Sequence, residues 1–345
     1  MSTRYAPESV LVEGEVWRIA RVWPGAPAPL EAHQGARVSG GHLLPDGTVR
    51  LLSPHDDAKL PALGALAQRG RVISHRPGKR AVVRLEYAFA KAVRSGRGGS
   101  VADAHRRAAA VLSRGFSVPE IASESGDAIE LTAIPGRTLH DLGADPATSA
   151  HEWRTAWRAW RAAWVEALQA GEGEGFPLHD AGDEARILRE WADRATETIG
   201  ATGRWSLRDI ADRLVRGLER APASPARFAH RDLHDKQLLW HDERGIGIID
   251  LDTCARADPA LDLGNLLAHA ELAVAQGRWA PERADIAADE ILRAASDLGI
   301  DAAAVGAWRR AARFRVACVH LLRPPGRRVA HRELFRMMVE ESRDA

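Results

Sequence analysis

The stretch His230–Asp262, HRDLHDKQLLWHDERGIGIIDLDTCARADPALD, decides how the rest of the chain is read. Asp232 stands two residues after His230, the carboxamide of Gln237 follows five residues on, and Asp250 and Asp252 close an apolar run. Phosphoryl transfer from a nucleotide calls for that set of groups. One carboxylate accepts the proton of an attacking hydroxyl, while an amide oxygen and a second carboxylate hold magnesium against the phosphates. Asp232, Gln237 and Asp250 suit those three roles in order. Leu238–Trp240 reads as a short strand, His241–Gly245 as a turn and Ile246–Leu251 as a second strand. Such a hairpin returns Asp250 to Gln237, although thirteen positions separate them. The plainer alternative, two solvated loop acids beside a buried hairpin, leaves their order and separation unexplained.

The run resembles the catalytic segment of the aminoglycoside phosphotransferase and choline kinase family. That segment reads roughly His-x-Asp-x-x-x-x-Asn, and its metal acid opens an Ile-Asp strand end. His230, Asp232 and Asp250 match, and Asp258–His269 (DPALDLGNLLAH) resembles the family's Asp-Pro-x-x-Asp-Leu-Ala segment. Gln237 departs from the usual Asn; it keeps the amide oxygen but adds a methylene. The resemblance runs from about residue 70 over most of the chain, and residues 1–70 align with nothing. It implies an α+β, bilobal, protein-kinase-like fold. A strand-rich nucleotide-binding lobe would span 1–138, and a helical lobe with catalytic loop and acceptor site 139–345. It further implies ATP or GTP with Mg2+ as cofactors, a structural His230 bracing the metal-acid segment, and adenine meeting the backbone near Thr132 and Ile134. The acceptor it implies is a small molecule, such as an aminoglycoside or another amino-bearing antibiotic or metabolite, with antibiotic resistance as the associated role. A neutral sugar, as in a maltokinase-like enzyme, is the alternative within the class. A nucleotide-binding pseudo-kinase is the alternative outside it.

Bulk properties are compatible with this reading. A chain of 345 residues with 45% hydrophobic content holds one large domain or two ordinary ones. No uncharged apolar run reaches the roughly 18 residues of a membrane span, and the N-terminus lacks an apolar leader, so a cytoplasmic protein without membrane partners is expected. Two cysteines, Cys254 and Cys318, make no disulfide framework, and Cys254 reads as a buried filler. The net charge of +1 conceals an asymmetry, +6 over residues 1–138 and −5 over 139–345. A basic half suits nucleotide phosphates, and an acidic half suits a cationic acceptor. With near-zero net charge and no single basic stripe, nucleic acid is not an expected partner. A monomer or homodimer fits equally.

Apolar periodicity divides the chain. Strands are expected in a hairpin around Pro45-Asp46-Gly47, in a second hairpin whose basic turn spans His75–Arg80, at Tyr87–Val93 and at Ile129–Ile134, with a helix over Ser100–Leu112. Beyond Leu139 helices are expected over 152–170, 183–198, 206–220, 261–276, 281–298 and 302–322, with loops at Gly171–Gly175 and Ala221–Pro225. Lys91 lies inside an apolar strand, where lysine is rare unless it meets a ligand or an edge, so it is the candidate phosphate-binding cation. Arg84 is the competing candidate, with an exposed strand position as its plain reading. Kinases usually hold that lysine with a helix Glu; here Asp103 is the one acid on the helix. The Arg76–Arg80 turn, with a single Gly, reads equally as a phosphate cover or a solvated tip. A zinc reading of His230, His234 and His241 requires a helix that the turn residues oppose. Trp153, Trp157, Trp160 and Trp164 share one helix face, as a core seam or with one or two rings reaching the acceptor. Glu172, Glu174, Asp180, Asp183 and Glu184 read as solvated charge or as contacts to an amine.

Overall fold

The computed structural model describes residues 5–169, 173–199 and 206–343; Glu172, in the acidic loop expected above, lies outside them. The chain opens with five strands, β1 (Ser9–Val12), β2 (Glu15–Val22), β3 (Ala28–Gln34), β4 (Arg37–Leu43) and β5 (Val49–Leu51), paired antiparallel in sequence order. Alternation along β2 and β3 turns Trp17, Ile19, Leu30 and Ala32 into a small core of their own. This sheet backs onto the next one. Gly40 of β4 lies against His75, where a Cβ would meet the ring at 2.7 Å, so only glycine permits the approach.

After α1 (Leu63–Arg69) comes a second five-stranded antiparallel sheet of β6 (Arg71–Arg76), β7 (Arg80–Arg84), β8 (Ala88–Val93), β9 (Ile121–Glu124) and β10 (Ala128–Thr132), in the order β6-β7-β8-β10-β9. The helix α2 (Gly98–Leu112) lies between β8 and β9 in sequence. β8 is central, with Lys91 opposite Val82 on one side and Ile129 on the other. Its neighbours Ala90 and Ala92 turn to the opposite face and are fully buried, while Lys91 on its own face is buried as well.

The remainder is mainly helical. β11 (Arg137–Thr138) leads into α3 (Leu139–Ala144), α4 (Ala150–Gln169), α5 (Ala181–Ile199) and α6 (Leu207–Arg220). Short strands follow: β12 (Arg227–Ala229), β13 (Leu238–His241), β14 (Gly245–Ile248) and β15 (Ala255–Ala257). β11, β13 and β14 form one small sheet, and β12 pairs with β15 in another. α7 (Ala260–Ala275), α8 (Pro281–Asp297), α9 (Ala302–Leu321) and α10 (Arg327–Arg343) complete the lobe. The four tryptophans of α4 are all 0% exposed, and edge contacts at 5.7 and 5.5 Å link Trp153, Trp157 and Trp160. They are the core seam. Each buries roughly 200 Å² of ring surface, on the order of 5 kcal/mol of transfer free energy before entropy is counted. A strand-rich N-terminal part and a helical C-terminal part thus meet as the sequence led one to expect, with β1–β3, α1, β9, β11, α3, β12, β15 and α10 as elements it did not announce.

Candidate active site

The catalytic loop begins where β12 ends. Asp262, at the start of α7 and 1% exposed, accepts from the backbone N–H groups of His230 at 2.7 Å and Arg231 at 2.8 Å. Those two bonds hold Arg231 in the left-handed region, φ 69°, a conformation that costs a non-glycine residue on the order of 1 kcal/mol. Burial pushes the Asp262 carboxyl above the ordinary range, with His230 and Arg231 pulling it back down. Asn265, one turn further along α7, donates from Nδ2 to the Leu233 carbonyl at 2.8 Å. His230 is fully buried, and its Nε2 meets the Ile249 carbonyl at 3.0 Å, one residue before Asp250. The loop is therefore pinned from both sides, and between the pins Asp232 is half-buried. Among the described residues its carboxylate makes no hydrogen bond or ion pair, so both oxygens remain available to a hydroxyl.

The β13–β14 hairpin brings the expected pair together. Ile249 N–H donates to the Gln237 carbonyl at 3.0 Å, and Gln237 Nε2 lies 3.4 Å from Asp250 Oδ2. Asp250 itself sits at φ 64°, which turns its carboxylate out of the strand line into the cleft. Lys91 Nζ reaches down from β8 to donate to Asp250 Oδ1 at 2.8 Å and Asp252 Oδ1 at 2.5 Å. Burial opposes the charge on Lys91, but Asp250 and then Asp252 outweigh it and hold the ammonium above its usual range. Burial likewise opposes ionisation of Asp250, and Lys91 overcomes it to hold the carboxyl well below the usual range. Two carboxylates and a carboxamide form an oxygen-donor set of the kind magnesium takes, once the Gln237 amide presents its oxygen rather than its nitrogen.

The helix acid does not hold the lysine. Asp103 is exposed on α2 and pairs with Arg106 at 2.9 Å; the α2 face toward the sheet carries Ala102 and His105 instead. Lys91 takes its partners from the metal-acid segment, 159 and 161 positions away. Arg84 is exposed near the end of β7 and touches none of these groups among the described residues, which matches its plain reading as a solvent-facing strand residue. Of the hinge pair, Thr132 N–H is already spent on the Glu120 carbonyl at 2.9 Å, and Ala133 N–H on Tyr87 at 3.0 Å. Ile134 lies over Gly247 of β14, so closely that a Cβ there would meet its Cδ1 at 2.6 Å. An adenine edge would thus find the Ile134 backbone before that of Thr132.

The β6–β7 turn arches over the same cleft. Asp57 Oδ2 binds Gly78 N–H at 2.7 Å and His75 Nε2 at 2.9 Å, fixing the tip. Arg94 Nε donates to the Gly78 carbonyl at 2.7 Å. Arg94 and its neighbours Arg76 and Lys59 depress the Lys79 ammonium, and the Arg80 charge acts on both Lys91 and Asp250. Five cations thus gather in one hairpin region; Arg76 stacks on Trp23 at 5.1 Å, and its buried Nε has no hydrogen-bond partner among the described residues. The zinc reading of His230, His234 and His241, which the turn residues oppose, is not assembled among the described residues. His230 and His234 point to different neighbours, and the grouping that does form is His234, Asp235 and His269, with ligand atoms within 4.8 Å. Asp235 is taken by His140 Nδ1 at 2.6 Å, and the two rings stack at 4.7 Å and 23°, presenting faces to each other rather than lone pairs to a common centre.

A buried strand lysine bonded to Asp250 and Asp252, together with a His-x-Asp loop whose Asp232 carboxylate makes no hydrogen bond among the described residues, is compatible with the class of kinase-like phosphotransferases. The chain belongs to the phosphotransferase enzyme family, whose model matches residues 57–314, and is a small-molecule kinase. Solved structures share the fold. An aminoglycoside phosphotransferase APH(3'')-Id from Streptomyces rimosus is 16% identical at a TM-score of 0.52, covering 74% of this chain and 96% of its own. An aminoglycoside-3'-phosphotransferase of type VIII is 20% identical at a TM-score of 0.52, covering 75% and 99%. A macrolide 2'-phosphotransferase type I is 15% identical at a TM-score of 0.50, covering 77% and 93%. No curated protein matches the chain. No helix among the described residues is long and apolar enough to cross a membrane.

Proposed function

We propose that the enzyme transfers the γ-phosphoryl group of ATP or GTP to a hydroxyl of a small molecule, and that Lys91, Asp232, Gln237 and Asp250 carry the reaction. The observation that carries this reading is the convergence of Lys91 and Gln237 on Asp250, on the hairpin that follows a loop whose Asp232 carboxylate forms no hydrogen bond or ion pair among the described residues. The hydroxyl oxygen attacks the γ-phosphorus as the bond to the β–γ bridging oxygen breaks. The nucleoside diphosphate leaves with that electron pair, and Asp232 accepts the hydroxyl proton. Magnesium held by Asp250, Asp252 and Gln237 would supply charge neutralisation at the phosphate oxygens. Lys91 and the Arg76–Arg80 turn screen the remaining phosphate charge, and the bonds from Asp262, Asn265 and His230 keep Asp232 from drifting. Nucleotide use is supported by a Streptomyces rimosus relative that has also been solved with ADP and streptomycin.

The pseudo-kinase reading rests on the missing helix Glu and on Gln237 in place of Asn; Asp252 takes up the duty of the first, and Gln237 lies beside Asp250 where the second would act. The structural relatives are named for aminoglycoside and macrolide acceptors, so an amino-bearing acceptor with resistance as its consequence is what their names alone suggest, while the feature common to them is a small molecule with a hydroxyl. The acid surplus of residues 139–345 does not add to this, because Asp180 and Asp183 close the first turn of α5 and Glu184 is buried against His179 and Arg315. Asp250→Ala is expected to abolish magnesium-dependent binding of a non-hydrolysable ATP analogue, measured by calorimetry. An unchanged magnesium requirement would remove Asp250 from the metal site.

A further inference from the structure

The N-terminal sheet lies outside the family match, yet it reaches the acceptor side of the cleft. Val22 N–H at the end of β2 donates to the Leu322 carbonyl at 3.1 Å, just beyond α9. That bridge sets Arg21 and Arg323, one residue to either side, next to each other. Arg21 leans on Glu31 at 3.7 Å, but Glu31 is already shared by His33 at 3.1 Å, Ser74 at 2.7 Å and His75 N–H at 2.8 Å. Arg323 is half-buried, and among the described residues its guanidinium meets the His320 ring alone, at 3.4 Å.

Two more cations come from the other flank. Lys236 stands four residues past Asp232, on a loop fixed by His140 N–H to the Asp235 carbonyl at 3.1 Å. Trp279 Nε1 donates to the His140 carbonyl at 3.1 Å, which carries the adjacent Arg278 to the same place. The charges of Arg323, Arg21 and Arg278 all act on Lys236, and those of Arg21, Asp232 and Glu31 on Arg323. Burial first, and Arg21 second, lower the Arg323 guanidinium to about 10, against the pull of Asp232 and Glu31. Among the described residues Lys236, Arg278 and Arg323 have no salt-bridge partner. Exposed cations commonly stand alone in solvent. Here three, Arg21, Arg278 and Arg323, act from three separate segments on Lys236, and the half-buried Arg323 among them also feels the charge of the proton acceptor Asp232.

We infer that the acceptor is an anionic hydroxyl compound, its phosphate or carboxylate held by Arg21, Lys236, Arg278 and Arg323 while its hydroxyl lies at Asp232. The inference rests on the phosphoryl-transfer reading for the role of Asp232. Arg21 then gives the N-terminal sheet a part in specificity, and like-charge crowding excludes polycationic acceptors.

Calorimetric titration of the full chain tests this, with the nucleotide site first saturated by magnesium and a non-hydrolysable ATP analogue so that its own cations are not counted. Glycerol 3-phosphate and glycerate are the two anionic probes, distinguishing a phosphate from a carboxylate site; glycerol and streptomycin are the neutral and cationic controls. At least one anion is expected to bind and neither control to do so. Arg323→Gln and Lys236→Gln should each weaken anion binding at least tenfold, with Arg323→Lys recovering part of it, while affinity for the nucleotide analogue confirms that the variants fold. Binding of streptomycin but of neither anion, no anion binding at all, or anion binding unchanged in both Gln variants would overturn the inference. If the unaltered chain fails to bind the nucleotide analogue, the phosphotransfer reading fails by itself. The anion titrations, repeated without nucleotide, then still decide the anion site.

Discussion

Asp232 and Lys91 illustrate opposite conditions for a charged side chain. Lys91 is buried and doubly paired, so removing it would strand Asp250 and Asp252 as uncompensated acids. Asp232 is half-buried and makes no hydrogen bond or ion pair among the described residues, so its removal disturbs little but chemistry. Loss of a positioned general base costs about 10²–10⁴ in rate, and the fold and nucleotide affinity should survive in Asp232→Ala. At this scale the sequence was informative where groups were close along the chain. Asp232, Gln237 and Asp250 fell within twenty residues, and turn residues predicted the hairpin joining the last two. The Asp252 partnership with Lys91 was not legible, because 161 positions separate them and Asp103 was the nearer acid of the right type. The roles of Asp262 and Asn265 were hidden in a segment legible only as a helix start.

α7 connects the chemistry to the core. Asp262 and Asn265 hold the catalytic loop from its first turns, and between them Gly264 faces α9. A Cβ on Gly264 would meet the Arg309 backbone nitrogen at 2.5 Å and the Trp308 carbonyl carbon at 2.7 Å. Backbone cannot yield as a side chain can, so Gly264→Ala must push α7 away from α9. Overpacking of this kind costs about 1–3 kcal/mol. A lower urea midpoint and a fall in kcat together are expected; a change in neither would mean that α7 does not position the loop. The helices were legible because a 3.6-residue apolar period persists over several turns, most plainly in the α4 tryptophans. β1–β3 went unread because they bury few large apolar side chains, chiefly Trp17, Ile19 and Leu30, among charged neighbours, and α10 because its exposed side is strongly polar.

For the molecule as a whole, acid sensitivity follows from buried neutral histidines. Burial, then Arg323 and Lys236, lower His320 to about 3, and burial with His234 takes His269 well below its ordinary range. Both stay neutral in the folded protein at pH values where the unfolded chain binds a proton. The unfolded state therefore binds more protons below pH of about 6.5, and stability falls as pH falls, by up to about 1.4 kcal/mol per pH unit for each histidine. Asp258, Asp262 and Glu271, raised by burial, act in the opposite direction and chiefly at lower pH. Urea midpoints at pH 7.5 and 5.0 should show the loss, and His320→Gln should flatten it; equal slopes in both proteins would exclude His320 as a source.

The whole arrangement is claimed to serve one event, transfer of a phosphoryl group to a hydroxyl next to Asp232. The most direct measurement is release of ADP from magnesium-ATP with a panel of anionic, neutral and cationic hydroxyl compounds, run in parallel on the unaltered enzyme and Asp232→Ala. The account predicts acceptor-stimulated, magnesium-dependent release that Asp232→Ala loses by at least a hundredfold while still binding nucleotide, on the order expected for a lost general base. Release that persists undiminished in Asp232→Ala would contradict it.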